Sequence, residues 1–135
     1  MVLKAVTIDS VRSALMKGEW VIILKGECTE QYLPIYVGPS QANIVKRELM
    51  GIRFFEAEIY ERFLAGYNMA GSNLESVVVE WSRNGHFHAK LLLKVRGECI
   101  KMDCPVAGAL ALAFRRRARI LVDESIFQKV GIALS

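Results

Sequence analysis

His86 and His88 stand two positions apart in a stretch that reads as a β-strand. Alternate residues of a strand face the same way, so the two imidazoles share one face. Such a pair could bind zinc or serve as general acid and base. No third metal-ligating side chain is spaced beside them, which leaves exposed hairpin histidines as the simpler reading. A second concentration of chemistry is Arg115, Arg116, Arg117 and Arg119, four guanidinium groups within five positions. They could form a phosphate-binding surface, or they could complement the negative end of a helix with solvated side chains. No aromatic residues interleave with them, so stacking on the bases of a single strand is not indicated there. Cys28, Cys99 and Cys104 are odd in number and none lies two residues from another. Neither a disulfide framework nor a zinc knuckle can be read from them, and reduced thiols are expected. Ser40 follows a strand but lacks the flanking glycines of a hydrolase nucleophile elbow. No glycine-rich phosphate loop or Ser-His-Asp order occurs.

The elements that must position these groups follow from periodicity. Leu3 to Val11 predicts a first strand, and the apolar run Trp20-Val21-Ile22-Ile23-Leu24 a second one covered on both faces. A turn at Gly26-Glu27 leads to a third strand, Tyr32 to Val37, completing a meander. Gly38-Pro39 then breaks the strand and starts a helix from Ser40 to about Met50, ended by Gly51. Phe54 to Ala70 has a second helical pattern, with Ile59, Phe63 and Leu64 on one side and Glu58, Glu61 and Arg62 on the other. Three strands are predicted next: Leu74 to Ser82, Phe87 to Val95 and Glu98 to Asp103, joined by turns at Asn84-Gly85 and Arg96-Gly97. Pro105 opens a last long helix, with Asp103 or Cys104 near its cap. A short strand, Arg119 to Val122, and a helical turn from Asp123 follow. Strands in runs rather than strict strand-helix alternation predict α+β architecture with a mainly antiparallel sheet.

Tyr32-Leu33-Pro34-Ile35-Tyr36-Val37-Gly38-Pro39-Ser40, followed by Ala42, resembles the first conserved segment of the bifunctional nuclease domain family. That segment has a glutamate where this chain has Gln41. Asp103, the helix Ala109 to Arg115 and the ending Ile120 to Phe127 resemble the family's last segment. Its polar centre of arginine, proline, serine and aspartate is replaced by Pro105, Val106, Ala107 and Gly108. A third segment falls on Arg53-Phe54-Phe55-Glu56-Ala57-Glu58, where the arginine and a final acid remain. The resemblance implies a bifunctional-nuclease-type fold over residues 1–135 and a dimer. It also implies hydrolysis of RNA or DNA phosphodiesters with a divalent ion such as Mg²⁺ or Mn²⁺. Glu58 and Asp103 would be the metal ligands or catalytic bases, and Arg53 would contact phosphate. The bland reading of the same residues has Glu56, Glu58 and Glu61 as a solvated helix face and Asp103 as a helix cap. A non-catalytic dimeric module that binds nucleic acid or protein is then the alternative.

Composition sets bounds on all of this. The chain of 135 residues is one domain's length. Its 53% hydrophobic content argues against disorder and for apolar surface that self-association would cover. A net charge of +4 is compatible with nucleic acid without demanding it. The N-terminal residues lack a signal-peptide core, and no uncharged apolar run reaches the ~18 residues that span a bilayer. A cytoplasmic protein without a membrane partner is expected.

Overall fold

Alternation of apolar and polar residues builds most of the molecule. In the computed structural model, which describes residues 2–14, 18–52, 73–82 and 85–133, eight strands join one sheet. In chain order the elements are β1 (Leu3–Ser13), β2 (Trp20–Gly26), β3 (Gln31–Val37), α1 (Pro39–Leu49), β4 (Asn73–Trp81), β5 (Phe87–Val95) and β6 (Glu98–Cys104). They continue with α2 (Val106–Arg116), β7 (Arg119–Asp123), α3 (Glu124–Val130) and β8 (Ile132–Ala133). The order across the sheet is β6-β5-β4-β7-β1-β2-β3-β8. The one parallel pairing is β4 with β7; every other neighbour is antiparallel. This is the α+β arrangement with a mainly antiparallel sheet that the sequence predicts. The predicted helix Phe54 to Ala70, and with it Arg53, Glu56, Glu58 and Glu61, lies outside the described residues.

One face of the sheet carries Ile22, Leu24, Leu33, Ile35, Val77, Val79, Leu91 and Leu93, all essentially inaccessible to solvent. Helices α1 and α2 pack against each other and onto this face. From Val106 to Ala113, α2 is buried throughout, and its alanines let the helix sit close to the strands. The run Trp20–Leu24 does not have the two fully covered faces expected of it. Ile22 and Leu24 are buried, while Val21 and Ile23 are half-buried, because α1 and α2 lie on the side of Ile22 and Leu24.

The sheet is curled. Bulges between Ile8 and Ser10 in β1 and between Leu74 and Ser76 in β4 add local twist. Four strand spacings separate β3 from β4, about 19 Å in a flat sheet. Yet residues of both strands line one cleft. The seven-residue α3, only about 10 Å long, carries the chain from β7 to β8 on the far side of β3. Its Ile126 and Phe127 enter the common core.

The turns follow from local chemistry. Gly51, at φ +76°, ends α1, with Gly51 N–H donating to Glu48 O and Ile52 N–H to Arg47 O. The β5–β6 hairpin turns on Arg96 (φ 50°) and Gly97 (φ 83°), the double left-handed geometry of a type I′ turn. Asp123 caps α3 by accepting from Ser125 N–H at 3.0 Å.

Candidate functional site

The first and last family-like segments meet in space. Both α1 and α2 begin at a cleft of about 660 Å³. Tyr36, Val37 and Gln41 line it from β3 and the first turn of α1, and Pro105 and Val106 from the start of α2. Trp81, Gly85, His86 and Phe87 close it from the β4–β5 hairpin, and Val130 from the end of α3. Gln41, Pro105 and Val106, three of the positions where this chain departs from the family's polar motif, therefore share one cavity, although Gln41 and Pro105 are 64 residues apart in sequence.

Neither helix is capped by a side chain at this end. Gly38 and Pro105 occupy the N-cap positions, with Ala42 N–H donating to Gly38 O at 3.0 Å and Ala109 N–H to Pro105 O at 2.9 Å. First-turn N–H groups have no partner within their own helix, so two positive helix ends are directed at the same region. No Asp or Glu is among the described lining residues; His86 and Tyr36 are the titratable ones. Trp81 and Phe87 are cross-strand partners whose rings meet edge to face, with centroids 4.5 Å apart and planes at 66°.

Asp103 is not part of this cleft. It lies exposed on β6, opposite Lys90 of β5, while its neighbour Cys104 turns into the core opposite Ala89. Strand alternation thus directs Asp103 away from the buried face two residues before Pro105 reaches the cleft. Nor does it cap α2, as expected from sequence. Pro105 holds that position because the strand continues through Cys104, and no side chain bonds to the helix start.

The arginine cluster gathers at the other end of α1 and α2, about 16 Å along the 11-residue α2. Its members have different environments. Arg115 turns inward and grips Glu48 of α1 with two parallel bonds, Nε to Oε1 at 2.8 Å and Nη2 to Oε2 at 3.0 Å. With side chains only 15% and 8% exposed, this pair ties the two helix ends together rather than presenting Arg115 to solvent. Arg116 is exposed. Arg117 takes the left-handed conformation that ends α2, with Ala118 N–H donating to Ala113 O at 2.8 Å. Arg117 and Arg119 line a second groove, of about 650 Å³, together with Phe114 and the acids Glu27 and Glu48.

His86 and His88 behave as hairpin residues. His88 is exposed and lies 3.8 Å from Glu80, its cross-strand partner, while His86 reaches the cleft. Among the described residues no three His, Cys, Asp or Glu side chains gather as a metal site. Cys104 is buried, and desolvation pushes its thiol up to about 11. No described helix is long and apolar enough to cross a membrane. No local signal in the sequence groups Trp81, Phe87 and His86 into one site. Their convergence on Gln41 depends on sheet curl, although the Asn-Gly hairpin signal did mark where they come together.

Two similar sequences are known from Mycobacterium tuberculosis: uncharacterized protein MT1877 of strain CDC 1551 / Oshkosh and uncharacterized protein Rv1829 of strain H37Rv. Each is 24% identical over 132 residues, covering 96% of this chain and 77% of the relative. The profile of the bifunctional nuclease domain matches residues 22–135, which include α1, α2 and every strand that lines the cleft. With the match spanning both segments that meet there, the chain belongs to the bifunctional nuclease domain family.

Proposed function

We propose that the protein binds nucleic acid, holding the strand at the cleft where α1 and α2 begin. The observation that carries this reading is the convergence of two motif segments of a nuclease-domain family on one cavity with two uncapped helix starts and no described carboxylate. Backbone N–H groups at helix N-termini favour phosphate, and with an uncharged Gln41 no carboxylate among the described lining residues opposes that preference. Arg117 and Arg119, at the far end of the helices, extend the cationic surface for the rest of the strand.

Family membership favours a second reading, phosphodiester hydrolysis with Mg²⁺ or Mn²⁺. Glu58 and Asp103 would then hold the metal and Arg53 the phosphate. The first reading is preferred because Asp103 faces away from the cleft.

Labelled single-stranded RNA and duplex DNA, incubated with purified protein with and without Mg²⁺ or Mn²⁺, test both. Retention that weakens steeply with salt, without cleavage, is the expected result. Salt-independent retention would overturn phosphate contact. Metal-dependent cleavage that disappears in Glu58→Ala/Asp103→Ala would establish the nuclease instead. Gln41→Glu separates the two further: it should weaken binding by placing a negative charge at the helix starts, but enhance cleavage if the family's acid supports hydrolysis.

A further inference from the structure

We propose that the cleft receives one unpaired nucleobase, so that the protein selects single-stranded over duplex nucleic acid; this rests on the nucleic-acid reading above. The cavity, at about 660 Å³, falls within the ~300–1,000 Å³ typical of small-molecule sites. Its walls match the two chemistries of a base. Trp81 and Phe87 supply aromatic surface, both half-buried and held edge to face by the cross-strand pairing of β4 and β5. Pro105 and Val106 add aliphatic surface to the same cavity. A base has an apolar face that stacks on such walls and a polar edge that needs partners.

Gln41 and His86 can satisfy that edge. A carboxamide offers both donor and acceptor, and an imidazole likewise, whereas the glutamate expected at position 41 could only accept when ionised. The replacement that removes an acid from the cleft thus adds a group suited to reading a base. In a duplex the bases are stacked and paired, so filling the cleft would first require one to be unstacked, unpaired and flipped out. A single strand avoids most of that cost. The selectivity therefore comes from the aromatic cleft, while the charged surface serves either form.

The chain has two tryptophans, so Trp20→Phe leaves Trp81 as a sole fluorescent reporter inside the cleft. The test titrates this variant with a short thymidine oligonucleotide, its duplex with adenine, and an oligomer of the same length built only of abasic sugar-phosphate units. Quenching of Trp81 by the intact single strand is expected, with affinity about tenfold or more above that of the abasic oligomer. Trp81→Ala, read by anisotropy of labelled oligomers, should bring the ratio of affinities for intact and abasic strands close to one. Should that variant fail to fold, Gln41→Ala and Phe87→Leu, read by the same affinity ratio, replace it. Equal affinity for intact and abasic strands, binding without Trp81 quenching, or preference for duplex would each overturn the base site and leave the nucleic-acid reading intact. If all three ligands fail to bind, the nucleic-acid reading itself falls, and the base site with it.

Discussion

Glu48 and Arg115 illustrate how a charged residue can be misjudged when only its neighbours in sequence are known. Within its run of arginines, Arg115 resembles Arg116 and Arg117; in three dimensions its fork closes on a carboxylate 67 positions away. Arg115→Ala strips this two-bond contact from the buried Glu48 carboxylate and should destabilise the fold by about 3–5 kcal/mol, and Glu48→Ala should also destabilise it. Replacing both, as in Glu48→Leu/Arg115→Met, should be much milder, and urea denaturation of the three variants checks the difference. Cysteine reactivity gives a second test at this scale. Cys28 and Cys99 are exposed whereas Cys104 is buried with its thiol pushed up to about 11, so two thiols should react rapidly with a disulfide reagent and the third only on unfolding. Its folded-state pKa is raised above the ordinary value of 9.0, so the unfolded chain ionises first. Stability from this group is intact below pH 9 and declines as pH rises towards 11. Denaturation midpoints of wild type and Cys104→Ala across that range should converge as pH increases.

Among the elements, α2 has the most demanding position. Its residues from Val106 to Ala113 are buried, and the helix must stop within the next turn so that β7 can pair with β4 and β1. Arg117 makes the stop at φ 55°, a conformation that strains a residue with a Cβ by about 1 kcal/mol or more. Arg117→Gly should therefore raise stability by up to about 1 kcal/mol in chemical denaturation while removing one cation. That combination is useful: a fall in nucleic-acid affinity in a more stable protein can be assigned to the lost charge. Ala111, fully buried, should react the other way. Ala111→Leu forces a larger side chain into this fully buried position and should cost about 1–3 kcal/mol.

For the whole molecule, the arrangement of ends is the central fact. Both helices start at the aromatic cleft and finish beside the arginines, so the two candidate contact regions occupy opposite ends of one rigid helical layer. Met50 and Ile52, outside both contact regions, remain 63% and 44% exposed, which is apolar surface that self-association would cover. A dimer is the expected species, and light scattering should return twice the 15.2 kDa chain mass. A monomeric mass at micromolar concentration would reject it.

The sequence by itself determined the local architecture, because the signals for it are local. Two-residue alternation sets the strands, Gly38-Pro39 and Pro105 set the helix starts, and Arg96-Gly97 sets a turn that two left-handed residues alone can make. The hydrophobic framework of the family was legible for the same reason: each segment carries its own periodicity. Only the tertiary structure decided which of the polar residues meet. Sheet curl brings Trp81 and His86 to Gln41, and strand alternation sends Asp103 to the outer face while its neighbour Cys104 enters the core. Helix packing converts Arg115 from a surface cation into the partner of Glu48. Such meetings depend on strand order and twist summed over the whole sheet, and no short window of sequence contains that sum.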